Sequence, residues 1–237
     1  MALLDGPEVS RDTLEQTNPV FNTAKTTLFH LAGNGDADAA AISAHLGLTL
    51  EQTQNSENTT ASQEQIIAGN LNMENRFKTM GVLSEQSGCP VHVDLPCGYT
   101  PRFLQDARAG RRYIGMDLPV VISEMKEVAE SMLSEEERKL VSFHAVDATN
   151  FATLDAALEG VEGPICITTE GLLMYFTDSE TEVFLDNIRL LLEKHGGFWL
   201  TADPEITLQI YTTLQKADPD ALSADIWAAF DAADGDD

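Results

Sequence analysis

Residues 91–102 read VHVDLPCGYTPR. An apolar run ends in an acid, Asp94, and Pro96, Cys97 and Gly98 then make a tight turn. A helix start follows, with Thr100 placed to cap it and Pro101 at the first helical position, where a missing N–H is no loss. A strand that runs through a tight turn into a helix N-terminus offers free backbone N–H groups and the positive end of a helix dipole to a ligand. That is the arrangement of a nucleotide-cofactor site.

Working outward, the later apolar runs also end in acids. RRYIGMDLP reaches Asp117, LVSFHAVDATNF carries Asp147, PICITTEGLLMYF carries Glu170, and GGFWLTADP reaches Asp203. Carboxylates accept hydrogen bonds and donate none. Acids at successive strand ends therefore suit a ligand rich in hydroxyl and amino donors, such as the ribose, adenine and ammonium groups of S-adenosylmethionine (SAM). A phosphate-rich cofactor wants the opposite lining.

The runs set a period. Strands are predicted near 91–95, 112–117, 140–146, 164–169 and 197–202, with helices near 101–109, 119–133, 150–159 and 178–194. In the last helix Thr177 and Glu180 suit a capping box, Val183, Phe184, Ile188, Leu191 and Leu192 share a face, and Gly196 ends it. Strand–helix alternation predicts an α/β, Rossmann-like, doubly wound and mostly parallel sheet. Ligands of such sheets bind beyond the carboxyl ends of the strands, where these acids fall. Residues 1–88 lack strand patterns and read as an N-terminal helical cap, with helices over 18–33, 37–46 and 63–83 and a polar loop over 51–62. Residues 89–237 read as the cofactor-binding domain. Two further helices are expected near 205–216 and 219–233, and no C-terminal β-hairpin is visible.

Asp94-Leu-Pro-Cys-Gly98 with Pro101-Arg102, Tyr113-Ile-Gly-Met-Asp117-Leu-Pro119, and Glu170-Gly-Leu-Leu-Met-Tyr-Phe176 together resemble the leucine carboxyl methyltransferase family, including enzymes like the polyketide O-methyltransferases. The resemblance covers roughly residues 65–215. It departs from the broader class I pattern at Pro96 and Cys97, which stand where additional small residues are often found, and at the missing hairpin. It implies SAM as cofactor, S-adenosylhomocysteine (SAH) as product, and a small-molecule carboxylate or hydroxyl, or a C-terminal carboxylate, as acceptor.

Asp117 lies 23 positions after Asp94, near the spacing at which an acid meets ribose hydroxyls, and Leu118 follows it. Gly98 supplies the backbone angle of the cofactor turn. Asp94 either holds that turn or takes the ammonium group of SAM. By resemblance Arg102 pairs its fork with the methionine carboxylate; otherwise it is a surface arginine among many acids. Asp147 and Ala148 sit where the class meets the adenine edge, unless Asp147 caps the helix near Asn150. Glu170 and Gly171 end the fourth strand, where cofactor and acceptor meet in the family. Tyr175 can reach the acceptor pocket, whereas Phe176 reads as core.

The motifs contain no convincing general base, which favours an acceptor carboxylate already ionised at neutral pH. Arg76 and Lys78, just before the first strand, are the candidate cations for it, or else plain surface charge. The five histidines show no metal-ligand spacing, so no metal is expected. Two other readings stay open: a degenerate methyltransferase fold serving as a binding or scaffold module, and an NAD-dependent oxidoreductase. The second is opposed by the missing G-x-G-x-x-G.

Composition bounds these readings. Apolar residues make up 43%, enough for a normal core, and the net charge of −25 comes from 39 acids against 14 bases. Such a surface opposes binding to nucleic-acid backbones and to anionic membranes, so neither is expected as a partner. Three cysteines make no disulfide framework, residues 1–12 carry no signal-peptide pattern, and a cytoplasmic setting is expected.

Overall fold

The computed structural model describes residues 19–48 and 63–203. The expectations for the 51–62 loop, the helices after Pro204 and the C-terminal hairpin lie outside these residues, as do the side chains of Phe21 and its neighbours.

Five parallel strands form one sheet in the order β3-β2-β1-β4-β5. They are β1 (Val91–Asp94), β2 (Arg112–Asp117), β3 (Val141–Ala145), β4 (Ile165–Thr169) and β5 (Gly197–Thr201). Helices α1 (Pro19–Gly33), α2 (Ala37–His45) and α3 (Gln63–Gln86) precede the sheet. Between the strands run α4 (Arg102–Arg108), α5 (Pro119–Met132), α6 (Glu135–Arg138), α7 (Phe151–Ala157) and α8 (Asp178–His195). This is the α/β, Rossmann-like architecture with helices on both faces. The chain moves outward from β1 to β3, then returns to the other side of β1 to begin β4. The strand order therefore reverses between β1 and β4, the switch point beside which ligands of such sheets bind.

Both faces of the sheet are covered by apolar clusters. One joins Leu28, Leu31 and Ile42 of the N-terminal helices to Phe103, Tyr113, Val121, Met125 and Phe143. The other joins Val91, Val93, Ile114, Met116, Ile165 and Ile167 to Leu154, Phe184, Ile188 and Leu191. Strand register explains the division: Val93 pairs with Ile114 and Ile167, so same-parity residues of three strands share a face. Gly115 is required in β2, because a Cβ there would lie 2.6 Å from the Phe143 ring.

The helices depart from expectation at three points. Α-helix α4 starts at Arg102, with Pro101 as N-cap and no side-chain cap. Thr100 instead donates to the Cys97 carbonyl at 3.2 Å, so it closes the turn and does not cap the helix. The Thr177–Glu180 capping box forms as expected, but Val183 is 45% exposed, and Asn187 takes the buried position beside Phe184 and Ile188. Finally, α6 is a separate short helix opened by its own capping box, Ser134 with Glu137. The S-E-E-E pattern that signals it stands between the expected helix end at 133 and the strand at 140.

Candidate functional site

The turn after β1 is pinned from both neighbouring strands. Leu95 N–H donates to Thr168 O at 2.9 Å, and Cys97 N–H donates to Met116 O at 2.9 Å. Between them the Leu95–Pro96 peptide is cis. Gly98 has φ of +50°, which a side chain would oppose, and Ala24 of α1 lies 3.9 Å from where its Cβ would be. The N-terminal helix therefore packs against this turn. Cys97 is fully buried, and burial first, then the charges of Asp117 and Asp94, push its thiol pKa well up, so it is no nucleophile.

Asp117, at the end of β2, faces the same turn. Its Oδ2 accepts from Gly98 N–H at 2.8 Å and its Oδ1 from Leu118 N–H at 2.7 Å. Burial pushes its pKa up to about 6, against the two backbone bonds that lower it, and nearby Asp94 adds to the rise. No cation pairs with it among the described residues. The result is a half-buried carboxylate with two backbone donors and room for more, flanked by Leu118, which is 38% exposed.

Asp94 and Glu170 form the other half. Asp94 is 1% exposed and accepts from Thr168 Oγ1 at 2.7 Å, Tyr113 OH at 3.0 Å and Arg102 Nη1 at 3.3 Å. A carboxylate has about four lone-pair sites, so roughly one remains. Arg102 is buried, not a surface arginine. Its Nη2 donates to Phe77 O at 3.2 Å and also pairs with Glu170 Oε1, and its guanidinium lies 4.5 Å over the Phe77 ring. Burial would lower its pKa, but Glu170 and Asp94 reverse this and raise it. The fork expected for a ligand carboxylate is thus held by two carboxylates of the protein. Nε of Arg102 is buried, with no hydrogen-bond partner among the described residues. Glu170 accepts at its second oxygen from Arg76 Nε at 2.9 Å, so α3 is tied across to the end of β4. Arg76 therefore belongs to this group. Lys78 does not: it pairs with Glu74 and its side chain is 63% exposed.

Around the rim, Asp147 accepts from Thr149 N–H at 2.9 Å and Thr149 Oγ1 at 2.7 Å in a local turn. The cap of α7 is Asn150, which accepts from Ala152 N–H, so Asp147 has no capping role. Ala148 O accepts from Asn187 Nδ2 at 3.0 Å. After β4, the N–H groups of Gly171, Leu172 and Leu173 donate to Asp203 at 2.6, 2.8 and 2.8 Å. Tyr175 and Met174 follow, 40% and 37% exposed. Phe176 packs against the second apolar cluster, as expected of core.

A buried polar layer beneath Asp94 was not anticipated. His92 is 1% exposed, with Nδ1 2.6 Å from Asp106 Oδ2 and Nε2 2.8 Å from Thr168 Oγ1. Arg111 donates to Asp106 Oδ1 at 2.6 Å, to Ser84 O at 2.9 Å and to Ser84 Oγ at 3.1 Å, and its Nη2 lies 3.0 Å from His92 Nδ1. Burial raises the Asp106 pKa, but the bonds from His92 and Arg111 outweigh it and hold the carboxyl below its usual value. The available signal was the V-H-V-D alternation itself. On a strand buried on both faces, the polar half must face a polar layer and not water.

No protein-family model matches the sequence, and no curated protein does. Among solved structures, the chain is similar to the methyltransferase domain of the bacterial protein CtHen1, with 17% identity over 49% of this chain and 59% of that one, at a TM-score of 0.40. It is similar to LaPhzM, with 16% identity over 70% and 47% of the two chains, at 0.31. It is also similar to an O-methyltransferase family protein from Burkholderia thailandensis, with 16% identity over 65% and 50%, at 0.31. The chain thus spans about half to three fifths of their lengths. At this identity and overlap the likeness carries no assignment of activity.

Proposed function

We propose that the chain is a SAM-dependent methyltransferase acting on an oxygen of a small-molecule acceptor. The observation that carries this reading is Asp117: a half-buried carboxylate at the end of β2, hydrogen-bonded to the Gly98 turn and met, among the described residues, by two backbone donors alone. Two ribose hydroxyls would supply the donors it lacks. Leu118, Asp147 and Ala148 would border the adenine, and the turn of Pro96, Cys97 and Gly98 would lie along the ribose and methionine portion. The remaining acceptor site on Asp94 suits the ammonium group, and the orphaned Nε of Arg102 is a donor for the methionine carboxylate. Glu170 and Gly171 would stand where cofactor meets acceptor.

When bound, SAM supplies an already activated methyl group on a sulfonium, so the protein's part is position and a dry pocket. On the acceptor side, Arg76 and Tyr175 suit an anionic oxygen that needs no general base, which favours a carboxylate over a phenol or alcohol. A second reading, a binding or scaffold module on this fold, is favoured by the occupation of the Arg102 fork from within the protein.

Titration calorimetry with SAH tests the proposal, with one site per chain expected. No heat at millimolar SAH, together with no thermal shift from SAM, SAH or NADH, overturns it in favour of the scaffold; a shift with NADH alone returns the oxidoreductase. Labelled SAM with a mixed acceptor panel then separates products, because methyl esters release methanol in mild alkali and ethers do not.

A further inference from the structure

We propose that His92 is a positioning residue for the cofactor site, acting through Thr168 on Asp94. The inference rests on the methyltransferase reading above and adds a residue that touches neither cofactor nor acceptor.

The argument is one of proton counting. The Thr168 hydroxyl has a single proton and two close polar neighbours, His92 Nε2 at 2.8 Å and Asp94 Oδ1 at 2.7 Å. Asp94 can only accept. If Nε2 also accepts, the hydroxyl proton must turn to the histidine, and Thr168 and Asp94 then oppose two acceptors at 2.7 Å in a buried layer. If Nε2 donates, the hydroxyl accepts from it and gives its proton to Asp94. The other outlet for that proton, Val93 O, is 3.5 Å away and weaker. The direction of the His92–Thr168 bond therefore decides whether Asp94 keeps one of its three donors.

The ring is set up to hold one orientation. Asp106 Oδ2 only accepts, so its contact takes a proton on Nδ1, and Nε2 donates to Thr168 only while the ring carries its second proton with Asp106 as counter-charge; Arg111 binds the same carboxylate and is anchored in turn on Ser84 of α3. Tyr113 stands edge-on to the ring, with centroids 5.6 Å apart. The same Tyr113 donates to the second oxygen of Asp94. Asp94 is thereby gripped from two sides by groups that His92 touches, and its placement fixes that of Arg102 and, through it, Glu170.

The test uses the full chain and SAH as probe, with calorimetric affinity and melting temperature read on each variant. Glutamine places its amide where Nε2 stands and asparagine places its amide where Nδ1 stands. His92→Gln is therefore expected to bind SAH within roughly threefold of the unchanged protein, and His92→Asn to lose about tenfold to a hundredfold. Thr168→Val, nearly isosteric, is expected to match His92→Asn, and Thr168→Ser to restore affinity. A merely structural role predicts a different result: melting temperatures fall in both histidine variants while affinity follows neither amide position. That result, or wild-type affinity in both His92→Asn and Thr168→Val, overturns the proposal. Should the histidine variants fail to fold, the Thr168→Val and Thr168→Ser pair decides it. If the unchanged protein binds no SAH, the methyltransferase reading itself falls and the proposal with it.

Discussion

Asp117 carries a conflict between stability and binding. Its folded pKa of about 6 lies above the ordinary carboxylate value, so the folded state holds its proton more tightly than the unfolded chain. The stabilisation this brings is fully present below the unfolded pKa and is lost as pH rises through about 6. The ligand-free protein should therefore melt lower at pH 7.5 than at pH 5 by a part that Asp117→Asn removes, and thermal melts of the two proteins across that range check this. Under the proposed cofactor role, binding runs the other way. Ribose hydroxyls need the ionised, accepting form, so SAH affinity should rise with pH through about 6, and the variant should lose both the pH dependence and roughly two orders of magnitude of affinity or more. A variant with unchanged affinity at pH 7.5 removes Asp117 from the site.

At the scale of elements, the joint between β4 and β5 depends on one residue. Gly197 has φ of +110°, and a Cβ there would lie 1.9 Å from Ile165 O, inside the ladder that joins the two strands. Gly197→Ala should lose at least about 2 kcal/mol in denaturant unfolding, since the backbone strain and the overlap add. Gly110→Ala is the comparison. That glycine has φ of +72° with nothing within 4 Å, so it should lose only about 1–2 kcal/mol. Equal losses would show that φ alone matters. The elements themselves were legible because burial on both sheet faces writes each strand as an apolar run closed by an acid, and all five strands fall within a residue or two of expectation. The turn at Gly98 and its approach to Asp117 were legible for the same reason. What periodicity does not encode is which polar side chains satisfy one another. Arg102 read as a hand held out to a ligand, yet it is closed on Asp94 and Glu170. Asp203 read as one more ligand acid, yet it gathers the loop after β4. His92 carried no signal at all apart from standing between two buried valines.

For the whole molecule, the net charge of −25 dominates. Exposed acids such as Glu135, Asp178 and Glu182 pair with no cation among the described residues, and like charges on one surface oppose compaction. Melting temperature should climb as KCl is raised toward about 1 M, where the screening length falls to about 3 Å. A flat or falling trend would show that self-repulsion is already balanced. None of the helices among the described residues is long and apolar enough to cross a membrane. The loop after β4 gives the fold one last consequence. Three successive N–H groups turned toward one carboxylate, two of them on the same oxygen, form the kind of donor set that stabilises an oxyanion, and here Asp203 neutralises it from within. Acyl chemistry, in which negative charge grows on a carbonyl oxygen, finds this loop already filled. Displacement at a sulfonium carbon cancels an anion against a cation and asks nothing of it.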